Sequence, residues 1–254
     1  MRAYDPATGE ISVVHRETGG TNGLTFGPDG WLYGCAGTAR QVVRWGADGN
    51  REILAERFEG NRLNSPNDLV VDTQGRVWFT DPRYGDDHAD RELDHDSVYR
   101  LTPPAGGDGA WSIERMTFDT TRPNGILLSA DERTLYVANW DDHKKVVMQW
   151  DVRPDGTIAN GRAFADLTGE PGEEALDGMK VDHAGNVFVS GPGGLWVFAP
   201  DGRRLGTIRL PELAANFAWG DGDGKGLYLT ARTGLYRIRL TTPGIRPPLA
   251  PPTN

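Results

Sequence analysis

The sequence predicts an all-β protein, a six-bladed β-propeller truncated at its N-terminus so that the inner strands of the first blade are missing. Three observations predict it. A hairpin pattern recurs five times, its period matches a blade of four short strands, and 34 glycines and 17 prolines are spread along 254 residues. Turns that frequent suit many short strands better than helices.

The five repeats are TNGLTFGPDGWLYGCA, SPNDLVVDTQGRVWFT, RPNGILLSADERTLYVA, LDGMKVDHAGNVFVS and AANFAWGDGDGKGLYLT. Each opens on a polar residue, runs through a short apolar strand into a Gly/Asp turn, and returns along a strand of alternating apolar and aromatic residues, which is a β-hairpin. The leading polar residues are Asn22, Asn67, Asn124, Asp177 and Asn216, spaced by 45, 57, 53 and 39 residues. A four-stranded blade needs about 40–50 residues, so the period fits a propeller. Third and fourth strands follow each hairpin: QVVRW and EILAE, SVYRL and WSIERM, VVMQW and GRAFAD, LWVFAP and GTIRL. After the fifth hairpin only LYRIRL remains, so that blade lacks its outer strand. At the start, RAYDP and ISVVHR read as the outer strands of a blade with no inner hairpin before them. Four full blades, one blade short of a strand and one half-blade add up to a broken six-bladed ring. The alternative is five blades that close by themselves, with the first two strands completing the last one.

One domain is expected over 1–240, followed by a proline-rich tail over 241–254. With 27 basic and 36 acidic residues the net charge is -9, which offers no electrostatic footprint for nucleic acid or an anionic membrane. Small molecules are the expected partners, and a monomer or weak oligomer the expected state. The single cysteine, Cys35, cannot form an intramolecular disulfide and reads as a small buried apolar residue. The first residues, MRAYDPATGE, contain no apolar core of a signal peptide, and no stretch reaches the roughly 18 apolar residues of a membrane helix. A soluble, cytoplasmic protein is expected.

In SPNDLVVDTQGRVWFTDPRYG, RPNGILLSADERTLYVAN and LDGMKVDHAGNVFVSGPGGLWVF the sequence resembles the gluconolactonase, senescence-marker-protein and luciferin-regenerating-enzyme family. Asn-Gly and Asp-Gly pairs are common turn signals on their own, and the specificity lies in three motifs in order. The likeness runs from residue 1 to about residue 240. It implies a six-bladed propeller with one divalent metal at its axis, Ca²⁺ first and Zn²⁺, Mg²⁺ or Mn²⁺ as alternatives. It also implies that Asn124 and Asp177 ligate that metal, and that Asn67 contacts substrate or lies at the metal as a third candidate ligand. A further family ligand, a Glu in an E-G-P-x-W segment, has no counterpart in the chain. GCAGTARQVVRW also departs from the acidic–His pair that many bacterial relatives carry there.

Inner strands of a propeller begin near its axis, so Asn22, Asn67, Asn124 and Asp177 are expected to converge. Oxygen donors of this kind suit a hard cation. Opening a lactone requires a polarised carbonyl, an attacking water and a stabilised oxyanion, and a divalent ion supplies the first and third. Asp177 is then the candidate general base, with Asn67, Asn22 and Tyr84 as candidate substrate contacts. For Asn22 and Asn216 a strand-capping role weighs at least as much as a functional one. The reading is a metal-dependent hydrolase opening a small sugar or hydroxyacid lactone. The alternative is a catalytically impaired propeller that binds a ligand or protein, which the absent Glu favours. No G-x-S-x-G elbow points to a serine hydrolase. GPGGLW and DGDGKG read as turns, His88 and His95 as part of a solvated acidic loop, Glu173 and Glu174 as exposed, and Trp45 and Trp150 as packing between blades.

Overall fold

The computed structural model describes residues 1–85, 88–107, 109–172 and 175–247, and these form strands and turns without a helix. Glu173, Glu174 and the second half of the proline-rich tail, 248–254, lie outside the described residues. No helix among the described residues is long and apolar enough to cross a membrane. The chain divides into two compact units, one built from residues 1–94 and 100–114 and the other from 95–99 and 115–246.

The first unit opens with a two-stranded hairpin, β1 (Arg2–Tyr4) and β2 (Ile11–Val13). A four-stranded blade follows: β3 (Thr21–Phe26), β4 (Leu32–Ala36), β5 (Gln41–Trp45) and β6 (Arg51–Ala55). A second small hairpin, β7 (Arg57–Phe58) with β8 (Asn61–Arg62), leads to a blade of β9 (Leu69–Val71), β10 (Val77–Asp81), β11 (Ser97–Thr102) and β12 (Ser112–Arg115). The second unit holds β13 (Pro123–Leu128), β14 (Thr134–Asn139), β15 (Val146–Val152) and β16 (Ile158–Asp166) as one blade. Its next blade is β17 (Met179–Val181), β18 (Val187–Gly191), β19 (Gly194–Phe198) and β20 (Arg204–Ile208). The last has three strands, β21 (Ala214–Gly220), β22 (Gly226–Ala231) and β23 (Leu235–Arg239).

The prediction of six blades is corrected by this topology: the described residues of the all-β propeller form five. The strands expected to be half of a sixth blade, β1 and β2, form a two-stranded sheet with no further strand among the described residues, and every residue in them is exposed. A two-stranded ribbon that buries no face is not a blade. The segment just after the last blade packs back on the second unit. Ile245 N–H donates to Val181 O at 3.0 Å, and Gly244 lies so flat on Trp219 that an added Cβ would come within 1.8 Å of the indole.

Blade turns follow from local chemistry. In DTQGR, Asp72 Oδ1 accepts N–H bonds from Gln74 and Arg76, and in DHAGN Asp182 Oδ1 accepts them from Ala184 and Asn186. Gly75 and Gly185 take the positive φ each turn requires, 77° and 81°. Alternate residues of the strands then fill the cores. In the second unit Leu176, Met179, Val189, Trp196 and Phe198 form one buried cluster, and Phe188, Leu195, Phe217, Trp219 and Leu227 another.

Candidate functional site

The polar residues that lead the inner strands are placed by anchors at the ends of the neighbouring strands. Asp81, at the end of β10 and without exposure, accepts N–H bonds from Asn64 and Ser65, each at 2.8 Å. Asn139 ends β14 in the same role, accepting from Thr121 N (3.2 Å) and Arg122 N (2.9 Å) while donating to Thr121 Oγ1 and Lys144 O. Each anchor grips the chain two or three residues before a leading asparagine, Asn67 or Asn124. Asn67 N–H then donates to Thr80 O (2.9 Å), and Asp177 N–H to Ser190 O (3.1 Å).

The glycines of the Asn-Gly and Asp-Gly pairs do not make turns. None of Gly23, Gly125 and Gly178 has a positive φ. Each instead lets its strand lie against the next inner strand in the same unit. A Cβ on Gly23 would fall 2.7 Å from Asn67 O, one on Gly125 2.2 Å from Asp177 O, and one on Gly178 2.4 Å from Asn216 Oδ1. Gly23 N–H bonds Asn67 O (2.8 Å), and Gly178 N–H bonds Ala215 O (3.0 Å). A missing side chain thus brings the polar leaders of successive blades together.

In the first unit Asn22, exposed, donates Nδ2–H to Asn67 Oδ1 at 3.2 Å, and Asn67 is half-buried. Tyr84 is half-buried in the irregular segment between β10 and β11. In the second unit Asn124 is 3% exposed, and Asp177 is half-buried beside it through the Gly125 contact. Asn216 joins them, its carboxamide lying on Gly178. Sequence reasoning passed over Lys180, whose Nζ donates to Asn216 Oδ1 (3.3 Å) and Met179 O (2.9 Å). In M-K-V it reads as an ordinary outward strand position. Its signal was a charged residue on an innermost strand.

Of the remaining motifs, GPGGLW is the turn between β18 and β19, and DGDGKG the turn between β21 and β22. His88 is exposed and bonds Gly85 O, while His95 is half-buried against Ser97 Oγ; Asp86 and Asp87 of the same stretch lie outside the described residues. Cys35 is fully buried, and burial first, then the charges of Asp68 and Asp81, push its thiol well up. Trp45 is buried and stacks on His15 at 5.6 Å. The buried Trp150 lies against Gly161 of β16 in its own blade.

The donor chemistry tests the divalent cation implied above. Among the described residues no three His, Cys, Asp or Glu side chains converge. What adjacent inner strands of the second unit offer is the Asn124 carboxamide and the Asp177 carboxylate, oxygen donors with a single negative charge between them. That set fits a hard cation held mainly by neutral oxygens, without the thiolates or imidazoles that mark a soft-metal site.

Residues 1–233 match the family described as SMP-30/Gluconolactonase/LRE-like region. A gluconolactonase of Zymomonas mobilis is 33% identical over 268 aligned residues, covering 96% of this chain and 73% of that protein. The solved structure of a gluconolactonase from Xanthomonas campestris, 33% identical, superposes with a TM-score of 0.81 over 96% of this chain and 78% of that one. A luciferin-regenerating enzyme superposes with a TM-score of 0.72 at 18% identity, over 97% of this chain and 86% of that one, a likeness of fold. The chain belongs to the SMP-30/gluconolactonase/LRE-like family.

Proposed function

We propose that this chain is a lactonase that hydrolyses a small polyhydroxylated sugar lactone, with Asp177 as the general base. The observation that carries the reading is Asp177 itself. It is the one carboxylate among the five residues that lead the inner strands, half-buried beside Asn124 and Asn216. Two gluconolactonases at 33% identity over 96% of the chain support an enzyme over a silent binding module.

Opening the ring proceeds by attack of water on the lactone carbonyl carbon. The Asp177 carboxylate takes a proton from that water as the new C–O bond forms, leaving a tetrahedral oxyanion. The carbonyl re-forms, the ring C–O bond breaks, and the proton held by Asp177 passes to the departing alkoxide. The product is a hydroxy acid that ionises at neutral pH. Asn124 and Asp177 are the residues that would hold a divalent cation, Ca²⁺ by the hardness of the donors. Such a cation, when bound, supplies carbonyl polarisation and oxyanion stabilisation. Asn67, whose oxygen is engaged by Asn22, is proposed as a hydrogen-bond donor to substrate rather than as a metal ligand.

The test is acid release from D-glucono-1,5-lactone in weak buffer, with and without a chelator. The proposal expects release well above the spontaneous rate, suppressed by the chelator and restored by Ca²⁺. Release at the spontaneous rate in every metal would overturn the lactonase reading, and chelator-resistant turnover would overturn its metal dependence.

A further inference from the structure

We infer that Lys180 locks Asn216 as an oriented amide donor that selects hydroxylated substrates, an inference that rests on the lactonase reading. Two groups bond Asn216 Oδ1: the Phe217 backbone N–H at 2.9 Å and the Lys180 ammonium at 3.3 Å. Neither can accept a hydrogen bond, so the end of the carboxamide facing them must be its oxygen. A flipped amide would set its NH₂ against two donors, one of them charged. The Asn216 NH₂ is therefore turned away from Lys180, and no described residue accepts a hydrogen bond from it.

The lock is itself held. Lys180 lies on β17, the innermost strand of its blade, where Met179 O accepts from Nζ at 2.9 Å and the Phe217 ring stands 5.8 Å away. Asn216 is half-exposed, and its carboxamide covers Gly178, the residue next to Asp177. A neutral double donor fixed beside the proposed base suits hydroxyl oxygens on a sugar lactone, and the carboxylate of the opened product. It gives nothing to a lactone without hydroxyls. Asn216 is thus a specificity-determining residue, and Lys180 a positioning residue that acts through it.

The test compares D-glucono-1,5-lactone with δ-valerolactone, which has the same ring and no hydroxyls. Asn216→Asp is the decisive variant: it keeps an oxygen for Phe217 N–H and Lys180, and turns the outward end from donor to acceptor. It should fold with an unchanged melting profile and lose about 5–30-fold in kcat/KM on gluconolactone, the worth of one or two neutral hydrogen bonds, with δ-valerolactone unaffected. Lys180→Met should show the same selective loss, mostly in KM, and Lys180→Arg should restore it. Calorimetric binding of D-gluconate reads the same contact without turnover and should weaken in Asn216→Asp. An unchanged ratio between the two lactones together with wild-type gluconate binding would overturn the inference. Gluconate binding that depends on Asn216 in a protein that opens neither lactone would uphold the contact and overturn the lactonase reading alone.

Discussion

Replacing Gly125 by alanine should damage both stability and turnover, because the second unit depends on the close approach of β13 to Asp177. A Cβ at this position would sit 2.2 Å from the Asp177 carbonyl oxygen. Ordinary carbon–oxygen contact begins at about 3.3 Å, so the strands must part by roughly 1 Å. The Cβ position is fixed by the backbone and its neighbour is a backbone carbonyl, so no rotamer change relieves the clash. Overpacking of this kind costs about 1–3 kcal/mol, which lowers the melting temperature by about 2–12 °C in a chain of this size. The same 1 Å separates Asn124 from Asp177, and misplacement on that scale can reduce kcat/KM by about 100-fold. Gly206→Ala on β20 is the control, since nothing lies within 4 Å of its would-be Cβ and its φ is negative. It should change stability by no more than about 0.5 kcal/mol. The assay is thermal unfolding followed by circular dichroism, paired with acid release from gluconolactone. A Gly125→Ala protein with wild-type melting and turnover would refute the argument.

Asp72 should be the costliest buried carboxylate to remove in the first unit. It accepts Arg76 Nε at 2.6 Å and Trp78 Nε1 at 3.0 Å with its side chain fully buried, so Asp72→Ala should cost about 3–5 kcal/mol in chemical denaturation. Acid should act on the last blade through Asp221 and Asp223. Bonds from Arg239 first, then the Lys225 N–H, hold the Asp223 carboxyl down to about 2. Bonds from the Tyr228 hydroxyl first, then Arg237, hold Asp221 lower still. A depressed carboxyl contributes stability above its ordinary value and loses it as pH falls through its folded value. The melting gap between wild type and Asp223→Asn should therefore close as pH falls from 3.8 to about 2, and a gap independent of pH would contradict this.

Much of the fold was legible because a blade is a local object. Hairpins such as 67–81 and 177–191 are written in contiguous sequence, with alternation and turn residues marking each one. The blade number was not legible, because it depends on what an edge strand pairs with. RAY and ISV carry strand propensity, yet nothing in those residues states that, among the described residues, they form a two-stranded sheet of their own. Asn67, Asn124 and Asp177 stood out as residue types at a repeated position. What holds them did not. Gly23, Gly125 and Gly178 look like turn glycines until the facing strand is seen, and Asp81 and Asn139 act across 16–18 residues through backbone bonds that no short motif records. Lys180 was hidden for a related reason, since its partner Asn216 lies 36 residues away on another blade.

The central claim, that Asp177 is the base of a lactone hydrolysis, is tested most directly by Asp177→Asn. The substitution keeps the side-chain shape and one oxygen while removing the group that accepts the proton. Acid release from D-glucono-1,5-lactone should be measured for both proteins in saturating Ca²⁺, with circular dichroism recorded on the same samples. The account predicts that the variant keeps its fold and loses about 10²–10⁴-fold in kcat, the usual worth of a positioned general base. A folded Asp177→Asn protein that turns over at the wild-type rate would contradict it.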